Sequence, residues 1–215
     1  MKENTKSDLG FIHKFIPAAD RQDQTTLLLL HGTGGNEQDL ISLARELNPR
    51  AAILSPRGKV LESGMPRFFR RLAEGVFDIE DLKFRTHELA DFVEKASKVY
   101  GFDLKYLVSV GYSNGANIAS SLMLLHLEVM SSAVLFRAMI PFMPERVPNL
   151  SAKDIFLGSG ENDPIVPREQ TETLFRLFEE AGANIVLHWQ KNSGHELGYD
   201  EISAAKEWLS NLPRK

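Results

Sequence analysis

The chain has 215 residues, of which 43% are hydrophobic and 25% are charged, as is typical of one globular domain spanning 1–215. It has no cysteine, which excludes disulfide bonds, thiolate zinc sites, iron–sulfur clusters and a cysteine nucleophile. The formal net charge of −4 argues against nucleic acid as a partner, because phosphate binding requires a basic surface. The polar N-terminus shows no signal peptide, and no apolar run approaches the roughly 20 residues of a membrane span. We therefore expect a cytoplasmic protein.

Short apolar segments alternate with longer amphipathic ones along the chain. The predicted strands cover residues 11–16, 26–31, 51–55, 106–110, 132–137, 155–160 and 185–189. The predicted helices cover residues 86–100, 114–130, 168–181 and 200–212. This alternation predicts an α/β fold with a mainly parallel central sheet and helices on both faces. Ligands of such sheets bind at the carboxyl ends of the strands, so the loops that follow the strands are where a site is expected.

A Gly-Tyr-Ser-Asn-Gly segment follows the predicted strand 106–110 and precedes an apolar helix. Its G-x-S-x-G pattern is typical of a nucleophile elbow, a strained turn that exposes a serine hydroxyl above the sheet. Gly111 and Gly115 fit this interpretation, because side chains two positions from Ser113 would collide with the adjoining strand and helix. Backbone N–H groups at the start of the helix would favour a developing anion beside the serine. The alternative is an ordinary serine in a turn.

A serine nucleophile needs a general base, because a free hydroxyl is a weak nucleophile at neutral pH. The candidate is His195, which lies in a glycine-flanked loop after the last predicted strand. Asp163, in the loop after the preceding strand, would orient the imidazole and stabilise the imidazolium. Glu161 is the nearest alternative acid, although Pro164 favours a fixed loop around Asp163. The remaining histidines are interpreted as structural: His13, His31, His87, His126 and His188.

A glycine-rich loop, His-Gly-Thr-Gly-Gly, follows the second predicted strand at residues 31–35. A phosphate-binding loop would need a following Gly-Lys-Ser/Thr, and a dinucleotide fingerprint would need glycine where Glu37 stands. The remaining functional interpretation is an oxyanion hole, in which the backbone N–H groups of Thr33 and Asn114 point at one carbonyl oxygen. The alternative is a tight turn that leads into the next helix.

Together, these motifs resemble the small α/β-hydrolases of the carboxylesterase/phospholipase family, related to acyl-protein thioesterases, and especially their bacterial carboxylesterase-like branch. The segments that carry the resemblance are residues 31–37, 55–58, 66–71, 111–117, 162–167 and 194–195. The resemblance implies Ser113 as the nucleophile, with Asp163 and His195 as its partners. It also implies that Thr33 and Asn114 supply the oxyanion donors, and that the enzyme uses neither a metal ion nor an organic cofactor.

Residues 63–81 are the least regular part of the chain, with aromatic side chains interleaved with arginines and carboxylates. One interpretation is a wall or flap of an acyl pocket, and the alternative is a packed loop held by arginine–carboxylate pairs. About 17 residues separate the predicted strands 132–137 and 155–160, too few for an inserted helical cap. We therefore expect a shallow, open pocket. Its candidate lining residues are Gly32, Met65, Phe68, Phe69 and Phe142.

These features predict a serine carboxylesterase that hydrolyses short- to medium-chain esters through an acyl-enzyme. The neighbouring alternatives are a lysophospholipase or acyl-protein thioesterase acting on longer acyl chains, and a peptidase on the same fold. A protein of another class, a ligand receptor that retains the fold without catalysis, is the remaining alternative. The expected partner is a small-molecule ester, and a homodimer is a further hypothesis.

Overall fold

The computed structural model describes residues 9–20 and 22–212. The strands are β1 (His13–Ile16), β2 (Thr26–Leu30), β3 (Ala52–Pro56), β4 (Val60–Glu62), β5 (Met65–Arg67), β6 (Arg71–Ala73), β7 (Val76–Phe77), β8 (Leu107–Tyr112), β9 (Ser132–Phe136), β10 (Asp154–Gly160) and β11 (Asn184–Gln190). The helices are α1 (Ile41–Leu47), α2 (Ile79–Tyr100), α3 (Asn114–Leu125), α4 (Arg168–Glu180) and α5 (Tyr199–Ser210). The polar segment 1–8, from which the sequence predicts no signal peptide, lies outside the described residues.

Seven strands form the central sheet in the order β1-β3-β2-β8-β9-β10-β11. The edge strand β1 runs antiparallel to β3, and the other neighbouring pairs are parallel. All seven predicted strands are present, with ends shifted by at most two residues. The predicted α/β-hydrolase architecture is therefore confirmed, and the carboxyl ends of β2, β8, β10 and β11 lie along one edge of the sheet.

Helices cover both faces of this sheet, which explains why its central strands are apolar without alternation. Successive side chains of β2 point to opposite faces, so Leu27 and Leu29 pack with residues of α1 and α5. Leu28 and Leu30 pack on the other face with residues of α2, α3 and α4. All four leucines are at most 1% exposed. Two hydrophobic layers, one on each face, therefore hold the strand ends in place.

Two helices differ from their predicted bounds by more than two residues. Helix α2 begins at Ile79, seven residues before the predicted start, and the Asp78 side chain accepts the backbone N–H of Asp81 at 3.1 Å. This cap and the acidic first turn stabilise the helix start. Helix α3 ends at Leu125 rather than at position 130, and the chain turns where the N–H of Val129 donates to the carbonyl of His126 at 3.2 Å.

The irregular segment 63–81, together with residues 60–62, contains structure that the sequence did not predict. Strands β4 and β5 pair antiparallel, and so do β6 and β7. Ion pairs link these hairpins and the segment after them: Arg71 Nη2 lies 2.7 Å and Arg67 Nε lies 3.2 Å from the carboxylate of Glu62. Arg70 Nη2 lies 3.0 Å from Asp78 Oδ2. The arginine–carboxylate pairs expected for a packed loop are therefore present.

The connection between β9 and β10 spans residues 137–153 and contains no helix or strand. The described chain thus has no large cap domain over the carboxyl edge of the sheet. No helix within residues 9–20 and 22–212 has both the length and the apolar character needed to cross a membrane.

Candidate active site

The turn between β8 and α3 holds Ser113 in a backbone conformation that residues with side chains rarely adopt, with φ 52° and ψ −116°. The N–H of Ser113 donates to the carbonyl of Phe136 at 2.9 Å, which joins the turn to β9. A Cβ on Gly111 would lie 2.6 Å from a Cα atom of α3, and one on Gly115 would lie 1.9 Å from the carbonyl oxygen of Leu30. Both flanking positions therefore require glycine, for the steric reason that the sequence motif indicates.

Ser113, Asp163 and His195 come together at the carboxyl ends of β8, β10 and β11. Nε2 of His195 lies 2.9 Å from Oγ of Ser113, and Nδ1 lies 2.8 Å from Oδ2 of Asp163. The other Asp163 oxygen accepts the backbone N–H groups of Ile165 and Val166 at 2.8 and 3.0 Å. A carboxylate that accepts these bonds requires a proton on Nδ1, which leaves Nε2 free to accept from the serine hydroxyl. The side chain of Asp163 is 1% exposed and that of His195 is 18% exposed.

The structure brings Asp163, rather than the alternative acid Glu161, to the histidine. Glu161 is exposed, and its backbone N–H donates to the carbonyl of Gln190 at 3.0 Å. The N–H of Asn162 donates to the carbonyl of Ser193 at 2.9 Å. These two backbone bonds join the loop that carries the aspartate to the loop that carries the histidine.

Side chains from the ends of β8 and β9 hold the histidine loop by its backbone carbonyls. The Tyr112 hydroxyl donates to the carbonyl of His195 at 2.9 Å. Burial raises the pKa of Tyr112, so its hydroxyl keeps the proton that it donates. The guanidinium of Arg137 donates to the carbonyl of Gly194 at 3.0 Å and to that of Glu196. Neither residue was identified from the sequence, where Tyr112 is a variable position of the motif and Arg137 only ends an apolar strand.

His31 is buried at the start of the glycine loop and is hydrogen-bonded through both ring nitrogens. Its Nε2 accepts the backbone N–H of Gly58 at 3.0 Å, so its Nδ1 carries the proton and donates to the carbonyl of Gly32 at 2.7 Å. Burial lowers the pKa of His31, in agreement with a neutral ring. A Cβ on Gly32 would lie 2.9 Å from the Tyr112 ring, so this position favours glycine. His31 therefore shapes the loop.

The glycine loop is held against strand β5. The N–H of Gly34 donates to the carbonyl of Pro66 at 2.9 Å, and Arg67 Nη1 donates to Oγ1 of Thr33 at 2.6 Å. The Arg67 side chain is only 4% exposed, and burial lowers its pKa. One main-chain bond from Gly34 and one side-chain bond to Thr33 thus hold this part of the loop against β5.

The start of α3 is joined to the same segment. The N–H of Phe68 donates to Oδ1 of Asn114 at 2.7 Å. Asn114 is the first residue of α3, so its backbone N–H is one of the four that find no acceptor within the helix. Three consecutive residues, 66–68, therefore fix Thr33 and Asn114 relative to each other. The β4–β5 hairpin, which the sequence did not predict, therefore helps to position the residues of the site.

The candidate pocket residues fall into two groups. Met65 is 42% exposed, and a Cβ placed on Gly34 would lie 3.7 Å from its sulfur atom. Phe142 is half-buried beside the core. Phe68 and Phe69 are only 2% and 0% exposed and belong to the hydrophobic core. Their burial favours packing beneath the site over contact with a ligand.

Three of the other histidines are hydrogen-bonded within the fold. His87 Nδ1 lies 2.8 Å from His126 Nε2, and His13 Nε2 lies 2.7 Å from the hydroxyl of Tyr100. Within the described parts of the chain, no three histidine, aspartate or glutamate side chains form a group that could hold a metal ion.

Comparisons with known proteins agree with this architecture. Residues 12–212 match the family model described as Phospholipase/Carboxylesterase. The MhqD protein of Bacillus subtilis (strain 168), which is named as a hydrolase, is 47% identical over 182 residues, covering 85% of this chain and 90% of that protein. The solved Bacillus cereus carboxylesterase has a TM-score of 0.91 and 48% identity over 95% of each chain. A carboxylesterase from Mesorhizobium loti has a TM-score of 0.89 and 30% identity, covering 96% of this chain and 97% of that chain. The resemblance predicted from the motifs is therefore confirmed, and the chain belongs to the phospholipase/carboxylesterase family of α/β-hydrolase enzymes.

Proposed function

We propose that this family member is a serine carboxylesterase in which Ser113, His195 and Asp163 form the catalytic triad. The observation that carries the proposal is the hydrogen-bonded chain from Ser113 Oγ through the His195 imidazole to Asp163, with distances of 2.9 and 2.8 Å. The strained backbone of the serine supports it, because strain of this kind persists where the surrounding structure holds a functional group in place. Relatives that are named carboxylesterases support an ester as the substrate.

The geometry supports a two-step acyl transfer. Nε2 of His195 takes the hydroxyl proton as Oγ of Ser113 attacks the ester carbonyl and forms a tetrahedral intermediate. This intermediate collapses to the acyl-enzyme, and the alcohol leaves with the proton from His195. Water then attacks the acyl-enzyme while His195 acts as the base, and the serine oxygen regains its proton as the acid is released. Asp163 orients the imidazole and stabilises its charged form in both steps.

The oxyanion of each intermediate would be stabilised by the backbone N–H groups of Thr33 and Asn114. The position of Asn114 at the start of α3 supports this role, because the helix dipole favours negative charge there. The bonds from residues 66–68 support it as well, because an oxyanion hole works through donors that are already in place before the reaction. In this proposal, segment 63–81 determines the spacing of the two donors.

Removing the side-chain bond to Thr33 tests this part of the proposal. We expect Arg67→Met to lower kcat about tenfold, part of the 10²–10³-fold cost of losing an oxyanion donor outright, with KM nearly unchanged. The matched control is Arg71→Met, because Arg71 also pairs with Glu62 but is not the residue that bonds Thr33. Equal kcat values for the two variants, measured on p-nitrophenyl butyrate with both proteins folded, would contradict the role of Arg67.

The substrate would bind in a shallow pocket lined by Gly32, Met65 and Phe142, with Phe68 and Phe69 packed behind it. No cap covers this edge of the sheet in the described chain. Long acyl chains generally require a large apolar binding surface, so the open site favours short- to medium-chain esters.

Hydrolysis of p-nitrophenyl esters from acetate to laurate tests the activity and its chain-length preference. We expect kcat/KM to be highest for acetate or butyrate and to fall towards laurate, with Ser113→Ala protein as the control for spontaneous hydrolysis. A maximum at laurate would favour the lysophospholipase or acyl-protein thioesterase alternative. A folded protein without turnover at any chain length would contradict the esterase proposal and favour a receptor.

A further inference from the structure

We propose that Arg137 is a positioning residue for His195: its guanidinium holds the loop of the catalytic base, while the buried carboxylate of Glu201 holds the guanidinium. The inference rests on the proposed function, because it assigns to Arg137 the task of keeping His195 within reach of the nucleophile.

Arg137 lies directly after β9 in an unusual setting for a charged residue. Its side chain is 0% exposed and is among the largest that the fold buries completely. Its φ is 57°, a region that bulky residues rarely adopt. The backbone N–H donates to the carbonyl of Gly158 at 2.8 Å, which joins this position to β10. A strained, buried arginine persists only where its surroundings hold it, and such sites cluster around catalytic groups.

Glu201, in the first turn of α5, orients the guanidinium. Arg137 Nη1 lies 2.6 Å from Glu201 Oε2, and Nη2 lies 2.6 Å from Oε1, a bidentate pair with both side chains 0% exposed. Oε1 also accepts the backbone N–H of Gly198 at 2.7 Å. The interactions of a buried ion pair offset the cost of its desolvation only when further hydrogen bonds satisfy both groups. For Arg137, several of those bonds go to the histidine loop.

The backbone of the histidine loop is held on each side of the base. Nε of Arg137 donates to the carbonyl of Gly194 at 3.0 Å, and Nη2 donates to the carbonyl of Glu196. The carbonyl of His195 itself accepts from the Tyr112 hydroxyl at 2.9 Å. Three consecutive carbonyls thus accept from two side chains that extend from the ends of β8 and β9.

The same guanidinium also faces the acid of the triad. Nε of Arg137 lies 3.8 Å from Oδ2 of Asp163, the oxygen that accepts from Nδ1 of His195. One fixed group is therefore placed between the aspartate and the loop that carries the histidine. Arg137 thereby sets the distance from Nε2 of His195 to the hydroxyl of Ser113.

Loss of this contact should impair the chemical step more than substrate binding. A displacement of about 1 Å at a reacting group can cost about 10²-fold in rate. The loop would retain its bonds to Tyr112 and to the backbone of Asn162, so it would still lie beside the loop of Asp163. The imidazole would then sample positions in which Nε2 does not accept from Ser113.

The first test is Arg137→Lys, which keeps a cation of similar length beside Glu201. One ammonium group cannot reproduce a bidentate pair together with bonds to the carbonyls of Gly194 and Glu196. We expect kcat on p-nitrophenyl butyrate to fall about 10²-fold, with KM within about threefold of the wild type. Inactivation by a fluorophosphonate, which labels Ser113, should slow by the same factor, because this reaction also depends on the histidine base.

The matched control is Arg85→Lys, the same substitution on α2, where Arg85 Nη1 lies 2.6 Å from Glu88 Oε2. We expect wild-type kcat and KM from this protein. A fall in kcat equal to that of Arg137→Lys would contradict a specific role for Arg137.

A double variant, Arg137→Met with Glu201→Met, separates positioning from stability. Replacing both members avoids leaving one buried charge without its partner, so we expect the double variant to fold with a Tm higher than that of Arg137→Met alone. We nevertheless expect a loss of kcat at least as large as for Arg137→Lys. We expect the His195–Asp163 hydrogen bond of the wild type to give a far-downfield proton resonance in NMR spectra, and we expect this resonance to broaden in both variants because the imidazole is no longer held.

The inference is overturned if either folded variant keeps the wild-type kcat and a sharp resonance; if the double variant does not fold, Arg137→Lys alone decides. Ser113→Ala separates this failure from failure of the proposed function. Activity retained in Ser113→Ala would refute the triad. An inactive Ser113→Ala beside fully active Arg137 variants would refute only the role of Arg137.

Discussion

Ser113→Ala is expected to lower kcat for ester hydrolysis about 10⁴–10⁶-fold, as removal of the nucleophile does in other serine hydrolases. The substitution removes the oxygen that lies 2.9 Å from Nε2 of His195. It keeps the Cβ, so the turn between β8 and α3 retains its close contacts. The measurement is steady-state hydrolysis of p-nitrophenyl butyrate, with circular dichroism to show that the variant is folded.

Ser131→Ala is the matched control for this experiment. The Ser131 hydroxyl donates to the carbonyl of Leu107 at 3.0 Å, at the amino ends of the strands and therefore at the opposite edge of the sheet. We expect wild-type activity from this variant. If Ser113→Ala retained comparable turnover, the nucleophile would have to be another group.

Asp163→Asn is expected to lower kcat about 10⁴-fold, the effect of the equivalent substitution in the serine protease triad. Asparagine keeps the shape of the side chain and an oxygen for the N–H groups of Ile165 and Val166. Its amide favours the other tautomer of His195, with the proton on Nε2. That nitrogen could then no longer take the proton of Ser113.

Glu161→Gln provides the control for Asp163→Asn, because it makes the same change of charge two residues earlier in the same loop. Glu161 is exposed, and its carboxylate is not the one that the structure places at the imidazole. We expect kcat and KM close to the wild type. A large loss in Glu161→Gln together with an active Asp163→Asn would instead identify Glu161 as the acid.

The central sheet could be predicted because strands that are buried on both faces appear in the sequence as short, continuous apolar runs. The run from Leu27 to Leu30 is apolar without alternation, since both faces of β2 are covered by helices. The first two turns of α2 lack the apolar periodicity by which the rest of the helix was predicted. Asp81 is buried there and accepts the backbone N–H of Arg70 at 2.7 Å, so a polar residue occupies a position where periodicity would require an apolar one. The hairpins in and just before segment 63–81 were not predicted, because strands of two or three residues are too short to show a periodic pattern.

The residues proposed for the chemistry were accessible from the sequence because their geometry is encoded locally. The spacing of Gly111, Ser113 and Gly115 reflects clashes within a single turn, and the loops of Asp163 and His195 each follow a recognisable strand. The burial of the aromatic residues in segment 63–81 could not be predicted in this way. A sequence of aromatic residues beside arginines is the same whether the aromatic side chains line a pocket or pack in a core. Only the packed structure shows that Phe69 is completely buried.

The support of the site depended entirely on tertiary structure. Arg137 and Glu201 are 64 positions apart, and Arg67 and Thr33 are 34 positions apart. Arg137 and Glu201 belong to no motif identified in the sequence, and the motifs that contain Thr33 and Arg67 do not reveal that these two residues touch. Each partner is placed by a different element, and the contact forms only when those elements pack. Local sterics therefore make the nucleophile recognisable in the sequence, whereas the groups that hold the base and the oxyanion loop become visible only when distant segments meet.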